Sequence, residues 1–372
     1  MARLAKLLDQ GWWTGGMGGR LPMAWSVWRA LHDAAVHYRT TPVALLTRYA
    51  RLSARGFTLP EMKRWGLLDP ALDTEQLDRH VSKRRFMAFQ ARCSPRGHAA
   101  LLEDKEVFHR YATAIGMPLP ELVGFLSGEV LRSGLPLDDG EQDAALHTRL
   151  THFEGREVLI KPSNGVYGRG IECFSVRNGL LHQDRQSLSL AQLAARLPAG
   201  SRYIMQERLY NHPFITHLTG LQTLQTLRVV TALPRRPAHR ARIVSAAWRS
   251  VVRNDLADNF NYGHNGTLRA QLDPDSGRIL RVVRAHPSGF GMEDVEHHPV
   301  TGQRLTGEYL PDWACVSAML SDRAALFHPI RLVGWDVALT AEGPRVLEGN
   351  FWFDPGDNAC GGARIIEQRL PA

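Results

Sequence analysis

Residues 332–350 read LVGWDVALTAEGPRVLEGN, two apolar runs on either side of a polar turn. Branched and aromatic residues are typical of strands, and the glycine and proline between the runs are typical of a turn. The stretch predicts a β-hairpin in which Asp336 and Glu348 face the same side. Two carboxylates and the amide oxygen of Asn350 suit a hard cation such as Mg²⁺. Salt bridges to arginine explain the two acids equally well, so both interpretations stay open.

A glycine-rich loop follows a predicted strand in the middle of the chain, where EVLIK (157–161) leads into PSNGVYGRG (162–170). Glycines let backbone N–H groups approach a polyphosphate closely, and Lys161 supplies a positive charge at the strand end. The loop lacks the ending of a Walker A motif, and the next apolar run, 171–176, predicts a second strand. A phosphate-binding hairpin and a plain glycine hairpin with a surface lysine are the two interpretations.

Three further segments carry polar residues that need a partner. Arg228 lies in the middle of the β-branched strand TLRVVT, where it requires an anion, either one of the two hairpin acids or a phosphate. The sequence QERL (206–209) follows an apolar strand and could present backbone groups to an adenine edge. We predict a helix over residues 101–115, with Lys105 near its start.

In their order along the chain, these five motifs resemble the ATP-grasp superfamily. Its pattern runs from a DK helix and "gipvP" to a KP strand with a glycine-rich loop, a QE hinge, a TLRvvT strand and a GxD…ExN pair. All are present over roughly residues 101–360. The wording of 332–350 is similar to the sugar-transfer-associated, α-L-glutamate-ligase-related ATP-grasp proteins. The resemblance implies an α+β chain with the ATP-grasp fold, two α+β subdomains gripping ATP, preceded by a helical N-terminal region.

The resemblance also implies roles for individual residues. Lys105 and Lys161 would contact the ATP phosphates and Arg228 would hold the transferred phosphoryl group, which makes Lys161 and Arg228 the expected catalytic residues. The expected Mg²⁺ ligands are Asp336, Glu348 and Asn350. The other expected ATP-binding residues are Ser163, Gly165, Gly168 and Gly170 of a phosphate lid, Gln206, Glu207 and Leu209 of the adenine and ribose site, and Asn259 and Gly263 of a later loop. In that loop His264 replaces the family's second glycine, and it is either an acid/base group or an ordinary loop histidine.

Composition narrows the class of protein. The chain has 372 residues, 44% apolar and 22% charged, which excludes disorder or a coiled coil as a description of the whole. Apolar runs stay well short of the ~18 residues of a membrane helix, and the N-terminus lacks the apolar core of a signal peptide. The four cysteines form no CxxC pair, which argues against a disulfide framework or structural zinc. We therefore expect a cytoplasmic protein.

The positive charge is concentrated at the N-terminus. Residues 1–100 hold 16 basic and 7 acidic residues, a balance of +9, whereas the remainder holds 29 and 30, a balance of −1. Tryptophans 12, 13, 25 and 28 lie beside this charge, which suits an interfacial helix on an anionic membrane, although aromatics at helical spacing are also typical of a core. An acidic substrate steered by this region is another candidate partner. Without a recognisable nucleic-acid motif, the sequence argues against nucleic acid.

Periodicity gives a coarse domain plan. Apolar spacing predicts a helix over residues 24–55, interrupted at Pro42, a basic helix over 74–92 capped by Thr74, and a loop over 134–142. The predicted domains are a helical, basic region at 1–100, ATP-grasp N-terminal subdomains with the glycine-rich lid at 101–205, and a C-terminal subdomain with the Mg-binding hairpin at 206–372.

Two enzyme hypotheses follow from the resemblance. The first is an ADP-forming carboxylate–amine ligase that works through an acyl phosphate, with ATP and Mg²⁺ as cofactors and a small, amino-acid or carbohydrate-linked substrate. The second is an ATP-grasp kinase that phosphorylates a hydroxyl of a sugar or small molecule. A homodimer is the expected assembly by the same resemblance. A non-enzymatic binding module is the third reading, and the intact lysines and acids argue against it.

Overall fold

The computed structural model describes residues 20–127, 131–132, 139–165, 170–234, 240–254 and 266–354. These residues form helices and two antiparallel sheets, as the predicted α+β class requires. Contacts divide the chain into a helical unit, residues 1–85 with 285–292, and a larger unit, residues 86–284 with 293–372. Among the described helices, none is long and apolar enough to cross a membrane.

The helical unit begins, in its described part, with a pair of helices around a buried core of Leu31, Leu45 and Leu52. The predicted interruption is confirmed, but Pro42 is itself the first residue of the second helix, and Thr41 caps that helix by accepting a hydrogen bond from the backbone of Ala44. The helices of this part are α1 (Arg20–His37), α2 (Pro42–Ala54), α3 (Leu59–Arg64), α4 (Thr74–Asp78) and α5 (Lys83–Cys93), and the boundary between the units falls within α5.

Two helices that the sequence predicts as continuous are broken in the structure. The helix predicted over 74–92 is wrong as a single element, because Asp73 rather than Thr74 caps α4 and a second helix starts at Lys83. The helix predicted over 101–115 breaks at Asp104, whose carboxylate accepts the backbone N–H groups of the next turn. The predicted loop over 134–142 already contains the start of a helix at Asp139.

The first sheet of the larger unit has seven strands among its described residues. The strands are β1 (Leu122–Ser127), β2 (Leu131–Arg132), β3 (Glu157–Pro162), β4 (Glu172–Arg177), β5 (Leu180–Gln183), β6 (Gln186–Leu188) and β7 (Arg202–Glu207), and the helices before and between them are α6 (Ala100–Glu103), α7 (Lys105–Ala114), α8 (Asp139–His152) and α9 (Leu190–Arg196). The strand order is β2-β1-β7-β3-β4-β5-β6. The core of this sheet includes Leu146 and Leu150 from α8 and Leu190 and Leu193 from α9. The predicted hairpin around the glycine-rich loop is the pair β3 and β4.

The remaining described elements belong to the second sheet and its helices. They are α10 (Pro213–Thr219), β8 (Thr226–Ala232), β9 (Arg242–Ser250), β10 (Leu268–Leu272), β11 (Ile279–Ala285), β12 (Met292–Asp294), α11 (Trp313–Arg323), β13 (Leu332–Thr340) and β14 (Gly343–Asn350), with short 3₁₀ turns at Arg96–His98 and Ala324–Phe327. The second sheet has the order β12-β11-β10-β9-β8-β13-β14. One face is apolar, and its fully buried Trp248 and Trp335 share a core with Phe108 of α7 and Val316 of α11. The opposite face of this sheet carries the charged residues described next.

Candidate active site

The two hairpin acids are direct neighbours. In the pairing of β13 with β14, Asp336 lies opposite Glu348, and in the pairing of β13 with β8 it lies opposite Arg228. Residues directly opposite in adjacent strands point to the same face of a sheet. The sheet therefore brings Arg228, Asp336 and Glu348 into one row, although more than one hundred residues separate Arg228 from the acids in the sequence.

Asp336 is held by two arginines. Its Oδ1 accepts from Arg228 Nε at 2.6 Å and from Arg249 Nη2 at 3.2 Å, and its Oδ2 accepts from Arg228 Nη2 at 3.2 Å and Arg249 Nη1 at 3.3 Å. Burial alone would raise the pKa of Asp336, but the two guanidinium groups hold it well below its usual range. The sequence leaves two interpretations for the partner of Arg228, a hairpin acid or a phosphate. In the structure, Arg228 is paired with the carboxylate of Asp336.

Lys105 connects the glycine-rich loop to the acid pair. It is the first residue of α7, and its backbone N–H donates to the carbonyl of Ser163 at 3.0 Å. Its Nζ donates to the Gly165 carbonyl at 2.8 Å and lies 3.6 Å from Glu348 Oε2. Asp104, the cap of α7, is ion-paired with Arg202 at the start of β7. At the start of α7, Lys105 is thus held between the glycine-rich loop and the β13–β14 hairpin.

Lys161 lies near the end of β3, beside the same groups. The pKa of Lys161 is lowered from 10.5 to about 8, chiefly by burial and also by the charge of Lys105, against the opposite effect of Glu348 and Asp336. His109 of α7 is also affected, since burial and then the charge of Lys161 lower its pKa to about 4. Lys105 and Lys161 lie close together, and burial disfavours the charged form of Lys161. An anion bound beside them would stabilise both positive charges.

The described part of the glycine-rich loop packs tightly on Pro162. A Cβ on Gly165 would lie 3.1 Å from the proline Cβ, and one on Gly170 would lie 3.1 Å from its Cγ, at a φ of 75° that favours glycine. The hydroxyl of Ser163 is fully buried and makes no hydrogen bond to a described residue. Gly168, Asn259, Gly263 and His264 lie outside the described residues.

The residues expected to line the adenine and ribose site lie at the end of β7. Gln206 and Leu209 are buried. The carboxylate of Glu207 already has two hydrogen-bond donors in the protein. It accepts the backbone N–H of Glu121 at 2.8 Å and an N–H of Arg156 at 2.8 Å. Sequence reasoning missed Arg156, whose only signal was its position beside the glycine-loop strand. The roles of these residues toward a nucleotide stay predictions.

The three expected metal ligands all carry oxygen atoms, but Asp336 also accepts hydrogen bonds from two arginines. Glu348 is partly exposed, and Asn350 donates its Nδ2 hydrogen to the Gly334 carbonyl at 3.2 Å, so its amide oxygen is the atom that would coordinate a cation. Within the described residues, no group of three or more His, Cys, Asp and Glu side chains is arranged to hold a metal. Two adjacent carboxylates and an amide oxygen fit Mg²⁺, with Asp336 neutralised by arginine.

Comparison with known proteins identifies the family. The model of the sugar-transfer associated ATP-grasp family matches residues 84–355, nearly three quarters of the chain. The chain belongs to this family. The predicted family and the α+β ATP-grasp fold with a helical N-terminal region are thereby confirmed. No curated protein matches the sequence.

Solved structures similar to this sugar-transfer associated ATP-grasp protein are distant. D-alanyl-alanine synthetase A of Vibrio cholerae shares 12% identity, covering 73% of this chain and 65% of its own, with a TM-score of 0.40. Biotin carboxylase of Campylobacter jejuni shares 10% identity over 74% of this chain and 48% of its own, with a TM-score of 0.41. The D-alanine-D-alanine ligase of Coxiella burnetii shares 10% identity over 74% of this chain and 62% of its own, with a TM-score of 0.36. Such distant likeness transfers neither activity nor substrate.

Proposed function

We propose that this protein is an ATP-dependent, ADP-forming ligase that activates a carboxylate as an acyl phosphate and joins it to an amine. The observation that carries the proposal is the convergence of Lys105, Lys161, Arg228, Asp336 and Glu348, which come from distant parts of the sequence. A triphosphate needs several fixed positive charges, and phosphoryl transfer is accelerated chiefly by positioning and by neutralising charge.

The residues divide into two groups by chemistry. Lys105 and Lys161 would bind phosphate oxygens, and a bound phosphate would offset the burial that lowers the pKa of Lys161. Arg228 would hold the transferred phosphoryl group, since a guanidinium presents a fork of donors that matches phosphate oxygens. Ser163, Gly165, Gly168 and Gly170 would close over the phosphates, which excludes the water that hydrolyses an acyl phosphate. Gln206, Glu207 and Leu209 would line the base and ribose, with Asn259 and Gly263 nearer the phosphates.

Magnesium completes the proposed site. Asp336, Glu348 and the amide oxygen of Asn350 would hold it. When bound, the cation would neutralise charge on the phosphates and polarise the phosphoryl group. The substrates would be a carboxylate and an amine, small or linked to a sugar or peptide. We expect an enzyme of this kind to be cytoplasmic and to form a homodimer. A membrane surface, contacted peripherally by the N-terminal region, is a further candidate partner.

Products distinguish this proposal from the kinase hypothesis. Purified protein, Mg²⁺ and ATP are incubated with pools of amino acids, sugar acids and amino sugars, and nucleotides and mass shifts are recorded together. A ligase releases ADP and joins two substrates with loss of water, whereas a kinase adds phosphate to one substrate. Lys161→Ala and Glu348→Ala should lose the substrate-dependent ADP release, and Asp294→Asn, on the same sheet but ion-paired with Arg281, is the matched control. Formation of AMP would refute the proposal.

A further inference from the structure

The carboxylate of Glu103 binds the backbone that follows β14. Glu103 is the last residue of α6, and its Oε1 accepts the N–H of Phe351 at 3.1 Å and the N–H of Trp352 at 3.2 Å. These two residues come directly after Asn350, where β14 ends. Hydrogen bonds to a charged acceptor are roughly twice as strong as those between neutral groups. Glu103 therefore fixes the direction in which the chain leaves the acid hairpin.

The residues on either side of Glu103 contact the same strand. Leu102 packs against Gly349, where an added Cβ would lie 2.6 Å from the leucine Cδ2. On the other side, Lys105 Nζ lies 3.6 Å from Glu348 Oε2. The break between α6 and α7 thus contacts the end of β14 at successive positions.

The same break also contacts the glycine-rich loop after β3. The backbone N–H of Lys105 donates to the Ser163 carbonyl at 3.0 Å, and its Nζ donates to the Gly165 carbonyl at 2.8 Å. Only Asp104 lies between Glu103 and Lys105 in the sequence. Three consecutive residues therefore connect the loop to the end of the hairpin.

We propose that Glu103 is a positioning residue for the cation site, because it holds the strand end that carries Glu348 and Asn350. The inference rests on the proposed function, which assigns these two ligands to Mg²⁺. Both lie within the last three residues of β14, so movement of the strand end would displace them together. Mg²⁺ demands near-ideal octahedral geometry, and residues that orient metal ligands without touching the metal typically contribute about 10- to 100-fold to metal affinity.

Amide hydrogen exchange in the ligand-free protein tests the contact itself. In Glu103→Ala, the two amides after β14 should exchange about tenfold faster or more, since they lose their acceptor. Glu154→Ala is the matched control, because the carboxylate of Glu154 also accepts two backbone N–H groups, from Asn178 at 2.7 Å and Gly179 at 3.3 Å, between β4 and β5. The control should speed exchange at its own turn and leave the amides after β14 unchanged.

Metal binding tests the consequence for the site. Mn²⁺ binding in the presence of ADP is followed by electron paramagnetic resonance, and ADP binding without metal by calorimetry. In Glu103→Ala, Mn²⁺ should bind about tenfold more weakly or worse, whereas metal-free ADP should bind within about twofold of wild type. Glu103→Gln retains an oxygen acceptor without the charge, and its Mn²⁺ affinity should stay within about threefold of wild type. Glu154→Ala should bind Mn²⁺ as the wild type does.

Several results would overturn the inference. Unchanged exchange of the two amides in Glu103→Ala would show that Glu103 does not hold the strand end. An equal loss of Mn²⁺ affinity in Glu103→Gln would assign the effect to charge, and an equal loss in Glu154→Ala would assign it to stability. If Glu103→Ala does not fold, Glu103→Asp takes its place, since it keeps the charge on a shorter side chain, and wild-type Mn²⁺ affinity in that variant would contradict the role.

Failure of the proposed function would give a different result. Wild-type protein that binds no Mn²⁺ with ADP would refute the cation site itself, and the inference with it. Wild-type protein and Glu103→Ala that bind Mn²⁺ equally well would leave the cation site standing and refute the role of Glu103 alone.

Discussion

Replacing Lys161 with methionine should stabilise the ligand-free protein near neutral pH, and the gain should shrink as the pH rises. Burial, together with the charge of Lys105, lowers the pKa of Lys161 from 10.5 to about 8. Below its folded-state pKa the lysine is charged in the native protein, and that charge is disfavoured there. Methionine has a similar length and no charge, so it removes the penalty while it retains most of the packing.

The magnitude follows from linkage. Between the folded pKa of about 8 and the unfolded value of 10.5, the unfolded chain binds one more proton than the native protein, so stability rises with pH across this window. At about 1.4 kcal/mol per pKa unit, the penalty is roughly 3 kcal/mol near pH 7 and falls to roughly 1 kcal/mol near pH 9.5. The difference in free energy of unfolding between variant and wild type should therefore decrease by about 2 kcal/mol over that interval.

Urea unfolding followed by tryptophan fluorescence measures this difference, because the fully buried Trp248 and Trp335 both report on the larger unit. Comparing the two proteins at each pH cancels the titrating groups that do not interact with Lys161, and His109, which does, titrates below this pH interval. Lys63→Met, in the helical unit, controls for the removal of one lysine. A difference that stays constant from about pH 7 to about pH 9.5 would refute the idea that Lys161 is held in an environment that disfavours its charge.

Three further predictions concern the hairpin and its supports. Gly349→Ala should lower the free energy of unfolding by about 1–3 kcal/mol, because the new methyl would lie 2.6 Å from Leu102 Cδ2; urea unfolding measures it, and Gly97→Ala, where a methyl meets nothing within 4 Å, is the control. Gln90→Ala should cost about 1–3 kcal/mol in the same assay, since its Nε2 donates at 3.0 Å to a buried backbone carbonyl that would lose its partner. Glu348→Gln should reduce Mg²⁺-dependent ADP release by about 100-fold or more while unfolding changes little, and a variant with full turnover would remove Glu348 from the site.

The acid hairpin and its arginine could be predicted because their signals are local. An acid inside an apolar strand needs a partner, and period-two alternation determines which face it takes. The pairing of Asp336 with Glu348 and with Arg228 follows from that alternation together with the register. The sequence could not show that Asp336 is shared between two arginines, since the position of Arg249 depends on β9 and not on any local pattern.

The breaks in the two predicted helices could not be predicted from apolar periodicity, for a different reason. Asp104 interrupts an otherwise continuous apolar pattern, and a capping carboxylate competes with the helix only when the following N–H groups are within reach. That break is what makes Lys105 the first residue of its helix and directs it to Gly165. The domain limits at residues 100 and 205 and the nucleotide roles of Gln206, Glu207 and Leu209 stay predictions.

The most direct test of the proposed site is ATP binding measured by calorimetry in the presence of Mg²⁺, for wild type, Lys161→Met, Glu348→Gln and the control Asp294→Asn. If the lysines and the acid hairpin form one site for Mg²⁺ and ATP, wild type and control should bind alike, and the two site variants should bind about 100-fold more weakly, as expected for the loss of charged contacts. Wild-type protein that does not bind ATP, or site variants that bind it as the wild type does, would contradict the assignment.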